Sequence, residues 1–582
     1  MPTLKKALVL LSAKEKRRGS LVLCMVVIMA VLETAGVASV MPFLSVLGNP
    51  EAVETNVILN TLYTNFGFSS VDTFIIALGS AAFLLILFSA FFRAITHYAM
   101  NRFIEMRRHS IGKRLLETYL RQPYIFFLDR HSGDMAKNIL SEVDQLVLQV
   151  FRPGMQMLAY GIVLLALVTL LVIIDPWLTV GVVLTIGGLY AAIFGAVRGV
   201  LSRVGHDRAR ANKERFTAAS EALSGIKEIK LIGVERIYLD KFTEPSSRQA
   251  RHQATNRTLG EAPKFLIEAI SFGGIIALIL VLLTTKGGAS STTVNDIIPI
   301  LGLYVFAGYR MLPAAQNIYT GMAKLRFGAA AIDNVYNDLH ARSALAELTR
   351  HSPQPLIPVH NIALQIANYT YPNARHPALQ DLTLKIPIGT SVGIIGQTGA
   401  GKTTLVDLLL GLLRPTNGAI LVDDTPVTDS NLRAWQQSLG YVPQDIFLTD
   451  SSVVENIALG IPEKEIDRAQ VERCARMAQV HEFIINEMPD GYDTIVGERG
   501  IRMSGGQRQR IGIARALYPN PYILVFDEAT SALDHETESA VMEAINALSG
   551  QKTLIIIAHR LSTVENCQQI VELSHGRILT VT

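Results

Sequence analysis

Long uncharged runs dominate the first 340 residues. Runs at 19–32, 74–92, 153–174, 176–197 and 269–285 contain no Asp, Glu, Lys or Arg. A helix rises ~1.5 Å per residue and needs roughly 20 apolar residues to cross a bilayer core. The second, third and fourth runs meet that length or nearly so. The first reaches it by continuing past Glu33 to Leu47, and the fifth by reaching back past Glu268. A sixth, 297–309, is short alone and extends through Arg310 toward Met322. The pattern predicts six transmembrane helices, with a short interfacial helix ahead of the first. No small-residue cleavage site follows a short apolar core, which argues against a signal peptide.

The loops set an orientation. Residues 50–72, between the first two spans, carry Glu51, Glu54 and Asp72 but no Lys or Arg, and Asp175 alone links the third and fourth. The segments between spans two and three and between four and five are rich in Lys and Arg. Positive charge concentrates in cytoplasmic loops, so both termini are expected there. These segments hold few turn signals, so the spans are expected to run on below the membrane as helices. They are expected to turn at 123–133 and 225–233.

Past residue 340 the pattern changes. The expected division is a membrane domain at 1–340, a Pro-containing linker at 341–358 and a soluble α/β domain at 359–582. Charge divides at the same place: 34 Lys and Arg face 24 Asp and Glu to residue 340, and 19 face 26 in the remainder. The net of +3 therefore averages a basic half and an acidic one, and gives no support to a nucleic-acid partner. Only 18% of the 582 residues are charged, against about 25% in soluble proteins. The three cysteines match neither a disulfide framework nor a metal-ligand spacing.

The second half carries phosphate chemistry. An apolar run at 390–395 feeds Gly396-Gln397-Thr398-Gly399-Ala400-Gly401-Lys402-Thr403-Thr404, and a helical run follows. This is the GxxxxGK[ST] loop in its strand–loop–helix context. Backbone N–H groups can curl round ATP phosphates, Lys402 can neutralise the β/γ-phosphates, and Thr403 can ligate Mg²⁺. A second apolar strand ends in Asp527-Glu528, a carboxylate for Mg²⁺ beside a base able to polarise water. Ser504-Gly505-Gly506-Gln507 opens another helix, a second anion site in a domain with one phosphate loop. That excess calls for the nucleotide of another chain.

This set resembles the ATP-binding-cassette (ABC) transporters. SGGQ ahead of the ILVFDE strand is their signature. On that resemblance Tyr371 stacks on adenine, Gln444 of Tyr441-Val442-Pro443-Gln444 contacts Mg²⁺, Asp534 ends the D-loop, and His559 is the switch histidine at the γ-phosphate. The segment 496–500 looks like one that touches the membrane domain in exporters. Met503 stands where the family usually has Leu. Six spans followed by one cassette implies a polytopic helical membrane domain fused to a P-loop ABC nucleotide-binding domain. Such a half-transporter works as a dimer with a second copy of the chain, hydrolysing ATP to drive alternating access in a bacterial inner membrane.

The cargo is read from charge inside the bilayer. Glu33, Arg93 and Arg310 fall within or at the end of apolar runs, where charge is costly and usually lines a cavity. The alternatives are a snorkelling Arg93 and a purely structural pairing of Glu33 with Arg310. Basic groups in a cavity suit an anionic head group. The patterns Glu33-x-x-Gly36 and Tyr309-Arg310-Met311-Leu312-Pro313 look like the PglK-type flippases of lipid-linked oligosaccharides, as does the unbasic stretch 57–68. A lipid-linked or amphiphilic cargo is expected; a drug or peptide exporter and an ATP-gated channel of the same fold are the competing readings.

Overall fold

The computed structural model describes residues 3–128, 130, 132–285, 291–340, 354–497, 503–528, 535–546, 548, 550–558 and 561–582. The chain forms two compact units, one of residues 1–122 and 129–345, the other of residues 123–128 and 346–582. Of the expected linker, 341–353 lies outside the described residues.

The first unit is helical. A short helix, Thr3–Leu10, precedes Ala13–Ala38. Ser12 starts the latter with a capping box: its hydroxyl accepts from the Glu15 N–H while the Glu15 carboxylate accepts from the Ser12 N–H. Glu15 also receives Ser110 Oγ at 2.6 Å and pairs with the buried Arg107. The expected first span is broken at Ser39, and Val40–Gly48 continues it. Pro42 accounts for the break, since it lacks an N–H and its ring crowds the carbonyl four residues back, on Ala38.

The extensions beyond the membrane are as expected from the charged stretches. Val71–Leu120 runs 50 residues without interruption, about 75 Å at helical rise and far more than a bilayer core. Pro176–Ser224 and Glu235–Thr285 are of similar length, joined by the short helix Ile226–Ile232. Gly233 ends that helix with φ +75°, a left-handed cap. Four stretches among the described residues are long and apolar enough to cross a membrane: Ala13–Gly48, Val71–Leu120, Gly133–Ile174 and Thr179–Ser224. The fifth and sixth expected spans fall on Glu235–Thr285 and Ser291–Phe327. The stretch 57–68 contains a helix, Val57–Asn65.

Below the apolar stretches, buried charge ties helices together. Arg208 and Glu142 are paired at 3.3 Å with side chains 1% and 0% exposed, and Asn212 adds a 3.0 Å bond to Glu142. Glu142 ends a π-helical segment, Asn138–Glu142, and a second, Val147–Phe151, stands just before Pro153. Such widened turns spoil the regular bonding ladder and bend the helix locally.

The second unit is α/β. Its strands in chain order are β1 (Asn361–Tyr369), β2 (Leu379–Pro387), β3 (Ser391–Gly396), β4 (Asn417–Val422), β5 (Thr425–Pro426), β6 (Leu439–Val442), β7 (Ile523–Asp527), β8 (Thr553–Ile557), β9 (Gln569–Ser574) and β10 (Arg577–Val581). One sheet, β2-β1-β4-β5, is antiparallel; the other runs β10-β9-β3-β8-β7-β6 and is parallel from β9 to β6. Strands β7 and β8 are buried along their whole length, as a sheet covered on both faces requires.

The close approach of Pro176–Ser224 to Phe327 gives a stability test. A Cβ on Gly205 would lie 2.2 Å from the Phe327 carbonyl oxygen. Gly205→Ala must part the two helices, at a cost of about 1–3 kcal/mol. In a detergent thermal-shift assay its midpoint falls by several degrees. Gly199→Ala, in the same helix with nothing within 4 Å, leaves the midpoint unchanged or slightly higher.

Candidate functional site

The phosphate loop sits where a parallel sheet places a ligand, at the carboxyl ends of its strands. Register sets the levels: Ile394 of β3 faces Ile557 of β8, which faces Asp527 of β7. The Glu528 N–H donates to Ile557 O at 3.0 Å, and the Ala558 N–H to Ile394 O at 3.1 Å. Glu528 adopts φ +51°, a left-handed conformation costly for a glutamate. That turn brings its carboxylate out of the strand end, within reach of Gln444.

The loop needs its glycines. A Cβ on Gly396 would lie 2.4 Å from Leu573 O. Gly401 has φ +102°, and a Cβ there would meet Leu379 Cδ2 at 2.8 Å and Ala378 O at 3.0 Å. Gly576 N–H holds the loop by donating to Ala400 O at 3.0 Å. The helix Lys402–Leu409 follows, and its first intrahelical bond is Leu405 N–H to Gly401 O. The three N–H groups before it lie at the open, electropositive helix end. The other end is finished by Trp435, whose buried indole N–H donates to Leu409 O at 2.8 Å.

The side chains expected around ATP fall into groups. Lys402 is buried and its ammonium donates to Gly396 O at 2.7 Å and Gln397 O at 3.3 Å, so it lies over the loop. Gln397, Thr398 and Gly399 are exposed, Ala400 is buried, and Thr403 is exposed at the first turn of the helix. Thr404 turns inward, its hydroxyl 3.1 Å from that of Tyr371. Tyr371 packs edge-on against Tyr369, ring centroids 5.0 Å apart. Gln444 Nε2 donates to Glu528 Oε2 at 2.8 Å. Asp527 is nearly buried, with Tyr441 Oη 3.4 Å from its carboxylate. Asp534, the D-loop, 498–500 and His559 lie outside the described residues.

Thr403, Gln444 and Asp527 would form an all-oxygen donor set. With its amide nitrogen bound to Glu528, Gln444 presents its carbonyl oxygen as the remaining ligand atom. A hydroxyl, an amide oxygen and a carboxylate suit a hard cation such as Mg²⁺.

The 504–507 turn is a separate construction. Ser504 caps the helix Gly505–Leu517, its hydroxyl accepting from the Gln507 N–H while Gln507 Oε1 accepts from the Ser504 N–H. Each side chain is thus occupied by the other residue's backbone N–H, with Gly505 and Gly506 in the first turn. Met503 is buried in the core beside them, consistent with an apolar residue there.

Asp407 escaped sequence reading, and Tyr441 was named only as part of the Gln444 motif. Asp407 lies on the phosphate-loop helix, buried, and its carboxyl is pushed up to about 6 by burial and then by Asp527. Burial and the same two carboxylates raise the Tyr441 hydroxyl as well. The available signal was a single acid inside the apolar run 405–413.

In the helical unit the structure joins all three cargo candidates. Glu33 Oε1 lies 3.2 Å from Arg93 Nη1 and 3.8 Å from Arg310 Nη1. Arg93 is thus engaged with Glu33, so snorkelling alone does not describe it.

Comparisons with known proteins agree with these two units. The ABC transporter transmembrane region family matches residues 23–304, and the ABC transporter family matches residues 379–531. An ATP-dependent lipid A-core flippase of Alkalilimnicola ehrlichii is 30% identical over 473 residues, 81% of this chain and 78% of the relative. The heterocyst differentiation ATP-binding protein HepA of a Nostoc species is 31% identical over 508 residues, 85% and 80% of the two chains. In fold, a bacterial Atm1-family ABC exporter solved with ATP bound superposes with TM-score 0.76 at 23% identity, covering 97% of this chain and 95% of the other.

Two measurements test the site. Gly401→Ala strains the loop and lowers affinity for a fluorescent ATP analogue at least about tenfold, the loss expected from a misplaced binding group. The second concerns Asp407. Its folded pKa lies above its ordinary value of 3.8, so the folded state binds the extra proton and ionisation costs stability above pH about 6. In EDTA, Asp407→Asn therefore raises the thermal midpoint at pH 7.5, and the gain over the parent shrinks as pH falls from 6 toward 4.

Proposed function

This chain belongs to the ABC transporters and is an ATP hydrolase coupled to transmembrane transport, and from that premise we propose that it flips an anionic amphiphile across a bacterial inner membrane. The observation that carries the cargo reading is the meeting of Glu33 with Arg93 and Arg310 among apolar helices. Two guanidiniums against one carboxylate leave a positive balance suited to a phosphate or pyrophosphate head group. The relative named as a lipid A-core flippase supports a lipid cargo. An oligosaccharide-pyrophosphate lipid is the finer form of the same reading. Basic loops between spans support a cytoplasmic nucleotide-binding domain.

The proposed working unit is a homodimer. A membrane domain at 1–340 joins a cassette at 359–582 through the linker 341–358, and each chain contributes half of two ATP sites. Gly396 through Thr404 cradle the phosphates, Lys402 neutralises charge on the β- and γ-phosphates, and Tyr371 stacks on adenine. Thr403, Gln444 and Asp527 would hold Mg²⁺, which would supply charge neutralisation to the phosphates. Glu528 orients and polarises the attacking water, with Gln444 fixing its carboxylate. On the family resemblance, His559 is assigned to the γ-phosphate and Asp534 to the D-loop. Ser504 to Gln507 of the partner close over the nucleotide, offering a helix start to its phosphates. Closure turns the spans outward, and hydrolysis resets them.

Two variants in nanodiscs test this function. Glu528→Gln retains ATP binding and loses hydrolysis by about a hundredfold or more, and lipid translocation stops with it. Flux that persists in that variant under saturating ATP points to an ATP-gated channel instead. Lipid phosphates and pyrophosphates stimulate the parent ATPase, and Arg310→Ala abolishes the stimulation. Strong stimulation by neutral hydrophobic drugs, with no response to those lipids, would overturn the flippase reading.

A further inference from the structure

Three helices contribute to the intramembrane charge cluster: Glu33 from Ala13–Ala38, Arg93 from Val71–Leu120 and Arg310 from Ser291–Phe327. Both guanidiniums approach the same oxygen, Glu33 Oε1. Exposure is unequal. The Glu33 side chain is 6% exposed, that of Arg310 24% and that of Arg93 38%. The carboxylate-bearing side chain is therefore enclosed while both arginine side chains stay partly exposed. A guanidinium carries five N–H donors in a fork that matches phosphate oxygens; Arg93 Nη1 donates to Glu33 Oε1 at 3.2 Å, while Arg310 Nη1 makes an ion-pair contact to the same oxygen at 3.8 Å.

We propose that Glu33 is a built-in competitor for the head-group site and sets the specificity of transport. Without cargo its carboxylate is the anion that holds Arg93 and Arg310 in the apolar surroundings. An anionic head group displaces it, exchanging a single carboxylate for a phosphate with more charge and more acceptor oxygens. A neutral head group has nothing to offer the two cations in place of Glu33, so it is refused. Discrimination then comes from an internal repulsive element as well as an attractive one. The inference rests on Arg93 and Arg310 being the head-group site, and the test separates the two claims.

Equilibrium binding to the full chain in nanodiscs of zwitterionic lipid is measured by thermophoresis. The probes are dodecyl phosphate, dodecyl maltoside and inorganic phosphate. Glu33→Gln removes the competitor, so dodecyl phosphate binds about tenfold more tightly, while dodecyl maltoside binding is unchanged. Tightening confined to dodecyl phosphate assigns the site to a lipid-borne phosphate; equal tightening of inorganic phosphate assigns it to the anion alone, and either result upholds competition. If Glu33→Gln weakens dodecyl phosphate binding or leaves it unchanged while Arg310→Gln weakens it, the head-group site stands and competition is overturned. If Arg93→Gln and Arg310→Gln both leave it unchanged, the head-group reading fails and the inference with it. Should Glu33→Gln not fold, Glu33→Gln/Arg93→Gln, with its charge balance restored, must bind dodecyl phosphate more tightly than Arg93→Gln.

Discussion

Hydrocarbon offers no partner for a charge or an unbonded backbone group, and the helical unit is arranged around that constraint. Apolar stretches satisfy their backbones by remaining helical, and where Pro42 prevents this the helix is broken at Ser39 and resumed. Charge within the apolar stretches is admitted as a cluster in which Glu33 answers two arginines. Below them the same rule gives the enclosed Arg208–Glu142 pair and the Arg107–Glu15 pair. Removing one member of such a pair leaves an uncompensated buried charge, which costs more than the pair itself contributes. These ion pairs join helices far apart in the chain, and so connect the packing of one to that of the next.

The nucleotide-binding unit solves a different problem, bringing like charges close to a phosphate ligand. Asp527, Glu528 and Asp407 stand near one another around the end of β7, and their repulsion is managed individually. Glu528 turns out through a left-handed residue toward Gln444. Burial raises the Asp407 carboxyl to about 6, so it takes up its charge later than an ordinary carboxylate. Lys402 is kept on loop carbonyls by two hydrogen bonds, and the helix start adds positive potential. The parallel register across β3, β8 and β7 is what delivers all of these to one edge.

Much of this was legible because it depends on local pattern. The phosphate loop, the Asp527-Glu528 strand end and the 504–507 helix start each need only a few contiguous residues: the structure has the expected strand–loop–helix at the first, a strand ending at Asp527 at the second and a capped helix start at the third. The long helical extensions were readable from charged stretches lacking turn signals. The break at Ser39 was obscured because hydropathy continues smoothly across it, although Pro42 marked the place. Asp407 was missed because a single acid in an apolar helical run carries no motif, and its importance comes from a strand more than a hundred residues away. For 504–507 the sequence suggested an anion site; the structure adds that Ser504 and Gln507 first satisfy each other as a capping box.

Sequence alone thus determined the two-part architecture, the family resemblance and the atoms available to a nucleotide, because periodicity, charge segregation and short motifs are written along the chain. Which distant charges meet was decided only by tertiary structure. Glu33, Arg93 and Arg310 could be named from their unfavourable setting, yet whether they lay apart or together depended on how three helices rotate about their axes. A rotation of one residue, about 100° in a helix of 3.6 residues per turn, would carry any one of them away from the others. Packing fixed those rotations, and with them brought three separate charges into one cluster.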